Sequence, residues 1–242
     1  MVDNEKGQED ISTNNVAEIH NALAWNKIGI QANDTGNYTF AIESFTKSIE
    51  LNPLDAYTYF CRGEAYSQLN KNRKALKDFN KSIKINPDDA VVYFRRGVIY
   101  RKIGKINKAI ENYSKMIEII PELALSYNKR GICYDKLGER QKAIEDYTEA
   151  IQLKPEYYEA IYNRGLAYGC LHQHQLSTED FTRVISIKPD HVESYRHRGD
   201  IYFLQGKNLL GYRDAKKAAA LGDCYLLEWA KGYGKPLIQS EQ

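Results

Sequence analysis

The sequence predicts an all-helical solenoid in which one hairpin of 34 residues is copied about six times, and three observations carry that expectation. Gly29, Gly63, Gly97, Gly131, Gly165 and Gly199 fall 34 residues apart, and Pro53, Pro87, Pro121, Pro155 and Pro189 keep the same step. Between these ladders, aromatic and small residues recur at steps of three and four, the spacing of one helical face. Chance would match the later positions of both ladders with a probability on the order of 10⁻¹¹ before allowance for period and phase, so coincidence is excluded. A constant period of this length makes each copy cover its neighbour's apolar face, which builds a frame for partners rather than a ready catalytic pocket.

The six copies share one register, 22–55, 56–89, 90–123, 124–157, 158–191 and 192–220, starting at Ala22, Ala56, Ala90, Ala124, Tyr158 and Val192. In the first helix of each, the fourth column reads Trp25, Tyr59, Tyr93, Tyr127, Ile161 and Tyr195, the glycine follows four residues on, and the eleventh column is Ala32, Tyr66, Tyr100, Tyr134, Tyr168 and Tyr202. A helical glycine costs about 1 kcal/mol against alanine, so its recurrence predicts close approach of a neighbouring helix. After a short turn, the second helix resumes with Ala41, Ala75, Ala109, Ala143, Ser177 or Gly211, followed four residues later by Phe45, Phe79, Tyr113, Tyr147 or Phe181 in the first five copies. The proline then stops the helix, and acids such as Asp88 and Asp89 are placed to cap the next one. Beyond Leu221-Gly222, residues 223–242 read as a capping helix begun by Asp223, with Leu237 to Gln242 fraying.

At the other end, Met1 to Asn15 contains Asp3, Glu5, Glu9 and Asp10 without an apolar core, so a disordered acidic segment over 1–15 is expected rather than a cleaved leader, and a cytoplasmic location follows. Across 242 residues, 34 basic side chains stand against 32 acidic ones, a net +2 that demands neither nucleic acid nor a membrane as partner. No apolar run reaches the roughly 18 residues of a spanning helix, so membrane insertion is not expected. Cys61, Cys133, Cys170 and Cys224 lack CxxC spacing and read as reduced core residues.

In Tyr127-Asn128-Lys129-Arg130-Gly131-Ile132-Cys133-Tyr134, followed by Ala143, Tyr147, Ala150 and Pro155, one copy shows the whole pattern. It resembles the tetratricopeptide repeat, and the resemblance covers residues 22–220, with the closing proline missing from the sixth copy. It implies a right-handed superhelical solenoid of about six antiparallel helix-turn-helix hairpins. One departure recurs: the column before the glycine, usually leucine, is Ile28 and then Arg62, Arg96, Arg130, Arg164 and Arg198. A residue repeated in every copy most simply serves the repeat, so these arginines are expected to pack their stems between hairpins and pair their heads with an acid or a carbonyl.

The resemblance further implies that columns 2, 5, 6, 9, 12 and 13 of the first helices line a concave groove. In the second copy these include Tyr57, Phe60, Cys61 and Glu64, in the third Phe94, Arg95, Arg101 and Lys102, and in the fourth Asn128, Lys129 and Lys136. The expected partner is a peptide or protein segment with acidic groups and an apolar anchor, since aromatic and arginine side chains dominate binding hot spots. The opposing reading of the charges as a solvated helix face stands beside it. A chaperone-tail receptor is disfavoured, because the columns that would hold its lysine and asparagine pair read Asn26 with Ile30, Phe60 with Glu64 and Phe94 with Val98.

Neither a GxxxxGK loop, a GxSxG elbow nor an HExxH helix occurs, so no catalytic residue or cofactor is expected. His172, His174, His191 and His197 invite a metal reading, yet the turn lacks a carboxylate or cysteine at ligand spacing and Cys170 alone is insufficient, so solvent-exposed imidazoles are the expectation. A non-enzymatic interaction scaffold is the leading function. A regulatory or substrate-recruiting subunit of a separate enzyme is the alternative, and self-association through the uncapped first copy is a third possibility.

Overall fold

The computed structural model describes the backbone of residues 3–233 and the side chains of residues 18–232. Among these residues the regular structure is thirteen α-helices without a strand, in two compact units, Met1–Pro121 and Glu122–Gln242. The first unit contains α1 (Asp3–Asp34), α2 (Tyr38–Leu51), α3 (Ala56–Gln68), α4 (Asn72–Ile85), α5 (Ala90–Lys102) and α6 (Ile106–Ile119). The second contains α7 (Ala124–Lys136), α8 (Arg140–Leu153), α9 (Tyr158–Cys170), α10 (His174–Ile187), α11 (Val192–Leu204), α12 (Asn208–Ala220) and α13 (Tyr225–Tyr233). Successive helices pack as hairpins, α1 with α2, α3 with α4, and so on to α11 with α12. The first helices of neighbouring hairpins also touch, α1 with α3 and α3 with α5 in one unit and α7 with α9 in the other. Each unit therefore has a face built of first helices.

The glycine column is explained by the aromatic ring across the hairpin. A Cβ on Gly63 would stand 2.6 Å from a ring carbon of Phe79, and the corresponding approach is 2.5 Å for Gly29 to Phe45, 2.9 Å for Gly97 to Tyr113, 2.8 Å for Gly131 to Tyr147 and 3.0 Å for Gly165 to Phe181. All five rings are buried, beside the fully buried small residues Ala41, Ala75, Ala109, Ala143 and Ser177. The sixth hairpin has Ala215 where the ring should be, and there the side chain against Gly199 is Leu226 of α13, whose Cδ2 lies 2.7 Å from the point a Cβ would occupy. The capping helix thus fills the joint that the last copy cannot fill itself. Leu226 and Ala230 are the buried side of α13, whereas Tyr225 and Trp229 remain exposed.

The arginine column forms a second set of joints. Arg62, Arg130, Arg164 and Arg198 each grip an aspartate 16 residues ahead, Asp78, Asp146, Asp180 and Asp214, through two nitrogens at 2.7–2.9 Å. A third nitrogen reaches the preceding hairpin: Arg62 Nη1 donates to Thr46 Oγ1 at 3.1 Å, Arg164 Nη1 to Thr148 Oγ1 at 3.2 Å and Arg198 Nη1 to Thr182 Oγ1 at 2.8 Å. Each of these three guanidinium groups therefore pins its own hairpin and ties it to the one before, a fork geometry that lysine lacks. The first copy has neither member of the pair, with Ile28 and Ser44 in the two columns. The third keeps the arginine but offers it Asn112, whose Oδ1 accepts from Arg96 Nε at 2.8 Å, and burial lowers the Arg96 pKa from its usual value.

Helix ends follow local chemistry. The hairpin turns place one residue in the left-handed region at the same column, Gly36, Asn70, Gly104, Gly138, His172 and Gly206, with φ between 56° and 80°. Asp55 and Asp89 cap α3 and α5 by accepting from the amides of Tyr57 and Val91 at 3.0 Å, and Asp223 accepts from Tyr225 N at 3.0 Å at the start of α13. At the N-terminus the backbone of α1 is helical from Asp3. Extending an existing helix avoids the cost of nucleation, so a polar stretch can continue one that packing has already started. The fraying expected for 237–242 lies outside the described residues.

Two of the irregular positions, His172 and Asn112, lend themselves to stability measurements. His172 holds φ of 56°, a conformation costing a side-chain-bearing residue about 1 kcal/mol or more, so His172→Gly is expected to raise the melting temperature by about 2–4 °C. An unchanged or lower value would show that the turn carries no strain. Asn112→Asp restores the missing carboxylate opposite Arg96 and is expected to stabilise the protein by about 1 kcal/mol, read by urea unfolding; a lower unfolding midpoint would contradict this account of the pair.

Candidate functional site

Subtracting the joint-forming columns leaves the first-helix faces as the surface free to vary. In the first unit, α3 presents Tyr57, which is 54% exposed, and half-buried Phe60, their rings 6.2 Å apart. Phe60 continues inward to the Phe79 ring at 6.0 Å, so the aromatic strip is anchored on the hairpin joint itself. On α5, half-buried Phe94 lies 6.4 Å from the Tyr113 ring, and the Arg95 guanidinium stands over Phe94 at 5.7 Å.

The cations expected in the groove differ in availability. Arg95 Nε is paired with Glu64 Oε2 at 3.0 Å, joining the first helices of two hairpins, so much of its charge is answered within the protein. Burial raises the Glu64 pKa, and Arg95 pulls it back down. Lys102 Nζ donates to Asn70 Oδ1 at 2.6 Å, at the rim of an opening of about 610 Å³ beside the hairpin turns, lined by Lys71, Arg73, Lys74, Lys105, Leu76 and Ile103 among others. Arg101 is half-buried on α5, its Nε shielded from water and without a hydrogen-bond partner. Among the described residues no ion pair joins Arg101 or Lys102 to a carboxylate.

In the second unit the three expected residues separate. Asn128 is 2% exposed; its Nδ2 donates to the Tyr157 hydroxyl at 3.0 Å and its Oδ1 accepts from Asn163 Nδ2 at 3.1 Å. Its amide is consumed in joining α7 to α9, so it supports the face rather than presenting a group to a ligand. Lys129 is half-buried and Lys136 exposed on the same helix.

Further along this unit lies a cluster that comparison of the copies does not reveal. The His191 ring is 4.9 Å from Tyr162 and 5.7 Å from Tyr158, while His197 stacks on Phe181 at 5.8 Å and lies 6.0 Å from Tyr162. Burial lowers the pKa of both imidazoles, which favours the neutral form at pH 7. His172 and His174 sit together elsewhere, at the α9–α10 turn, rings 5.8 Å apart. Among the described residues no three His, Cys, Asp or Glu side chains are placed to hold a metal ion. The clue in the sequence is that His197 and Tyr162 occupy ligand-facing columns of adjacent copies.

Helical hairpins stacked by repeated joints, with variable first-helix faces, define a helical-repeat protein. The tetratricopeptide repeat family model matches residues 56–89, 90–123 and 124–157, so these three consecutive copies are tetratricopeptide repeats. Among solved structures it is similar to MamA, at 26% identity and a TM-score of 0.65 over 76% of this chain and 97% of that one. YrrB, described as a TPR protein with an unusual peptide-binding site, shares 22% identity with a TM-score of 0.67 over 79% and 99% of the two chains. A tetratricopeptide repeat protein from Parabacteroides merdae ATCC 43184 shares 20% with a TM-score of 0.73 over 84% and 81%. No sequence among the curated proteins matches. Among the described residues no helix is long and apolar enough to cross a membrane.

Proposed function

We propose that this protein is a non-enzymatic scaffold that holds a peptide segment or protein surface on its first-helix faces. The observation that carries the reading is the pairing, on one face of the first unit, of the Tyr57–Phe60 aromatic strip with the cations Arg101 and Lys102, to which the described residues offer no carboxylate. Aromatic surface supplies contact area, and unanswered cations select acidic groups. An acidic segment with an apolar anchor fits this face, with Lys129 and Lys136 as further cations on the second unit. The peptide-binding site ascribed to YrrB supports a peptide as the class of ligand for this chain as well. If the captured partner is an enzyme, the scaffold is its recruiting or regulatory subunit.

Charge reversal at Arg95, Arg101 and Lys129 together is expected to weaken capture of the natural partner at least tenfold, about 1.4 kcal/mol, with the helical circular dichroism unchanged. Undiminished capture by the folded triple variant would remove these residues from the binding surface.

A further inference from the structure

Between α9 and α11, over α10, the second unit contains a cavity of about 280 Å³. Leu166, Ile201 and Leu204 supply its apolar walls, and the Phe181 ring, 1% exposed, lies beneath them. The space exists because α9 lacks two side chains. Gly165 is the glycine of the hairpin joint, but Gly169 belongs to no ladder: the same column holds Asn33, Ser67, Arg101, Asp135 and Phe203 in the other copies. A Cβ at Gly169 would meet only Ser177 Oγ, at 3.3 Å. Glycine weakens a helix, and no close backbone or ring requires one at 169. Its effect is to leave the cavity open.

A carboxylate without a strong cation partner lines that cavity. Among the described residues the one ion-pair contact of Asp200 is to the His197 imidazole, Nδ1 at 3.9 Å, and burial keeps that imidazole toward its neutral form. Arg196, the adjacent cation on α11, is turned to Asp223 of the following turn, Nη1 to Oδ2 at 3.1 Å. Burial pushes the Asp200 carboxyl up to about 6, against the pull of Arg196 and with a further push from Asp223. At pH 7 it is still mainly ionised, and its side chain, 43% exposed, stands where the apolar cavity opens to water. At the cavity's other end His174 Nδ1 is shielded and has no hydrogen-bond partner.

We propose that this cavity receives a lysine or arginine side chain of a bound segment, with the aliphatic stem along Leu166, Ile201 and Leu204 and the cation on Asp200. The proposal rests on the scaffold reading and adds a chemistry to it: the second unit selects a basic anchor, unlike the cationic face of the first. A glutamate would meet the charge of Asp200. A purely aliphatic side chain would fill the walls and leave the carboxylate unanswered. Long basic side chains match both features, because their stems are apolar and their heads charged.

The probe is the peptide acetyl-Ala-Ala-Lys-Ala-Ala-amide, titrated into the full chain while the amide signals of Gly169 and Ile201 are followed by NMR, with norleucine and glutamate peptides in parallel. The lysine peptide is expected to shift both signals saturably and to bind at least tenfold more tightly than the norleucine peptide. Asp200→Asn should reduce lysine binding to the norleucine level, and Gly169→Leu, which fills the cavity, should abolish both with the circular dichroism unchanged. Absence of saturable shifts, or equal binding of lysine and norleucine peptides, overturns the proposal. Failure of the scaffold reading has a different outcome: wild-type protein would capture no partner although the lysine peptide still saturates. A partner lost with the Arg95, Arg101 and Lys129 reversal but retained by Gly169→Leu would overturn the cavity assignment alone.

Discussion

A methyl group that is missing sets how closely the two helices of each hairpin approach. With glycine on the first helix, the aromatic ring of the second lies where a Cβ would be, as close as 2.5 Å at Gly29 and 2.6 Å at Gly63. That approach buries the ring completely and brings the column before the glycine within reach of the second helix, where arginine grips aspartate. The third guanidinium nitrogen then ties one hairpin to the one before it. The order of dependence runs from glycine to ring to ion pair, and a repeat array needs such joints because each copy contacts only its neighbours.

Holding the fold in these columns frees others. On the first-helix faces the same geometric position carries Tyr57, Val91, Leu125, Glu159 and Glu193 in successive copies. Chemistry can therefore differ along the chain at little cost to packing. The first unit places aromatics beside Arg101 and Lys102, whereas the second offers Asp200 in an apolar cavity. One frame supports two unlike faces because the frame's own charges are already satisfied by the arginine and aspartate columns.

The joints are legible in the sequence because they repeat: constant spacing exposes both the glycine and its ring, and the reading of the arginines as structural agrees with their bidentate partners. The aspartates 16 residues ahead recur in four of the five copies that carry the arginine and are recoverable by laying out one more column. What does not repeat is harder to read. Leu226 replaces the ring from another helix altogether, since the sixth copy has Ala215 in that place. Arg95 is answered by Glu64 through contact between neighbouring hairpins, and Asn128 is buried by Tyr157 and Asn163 from farther along the chain. The cavity depends on the absence of a side chain at Gly169, whose meaning emerges only when the walls around it are known.

A double-mutant cycle at Gly63 and Phe79 tests most directly the claim that the ring dictates the glycine. Gly63→Ala alone is expected to destabilise the protein by about 1–3 kcal/mol through overpacking against the ring. Once Phe79→Leu has removed the ring, the same alanine should become stabilising by up to about 1 kcal/mol, as helix propensity takes over. An alanine that stabilises in both backgrounds, or costs the same in both, would contradict the account.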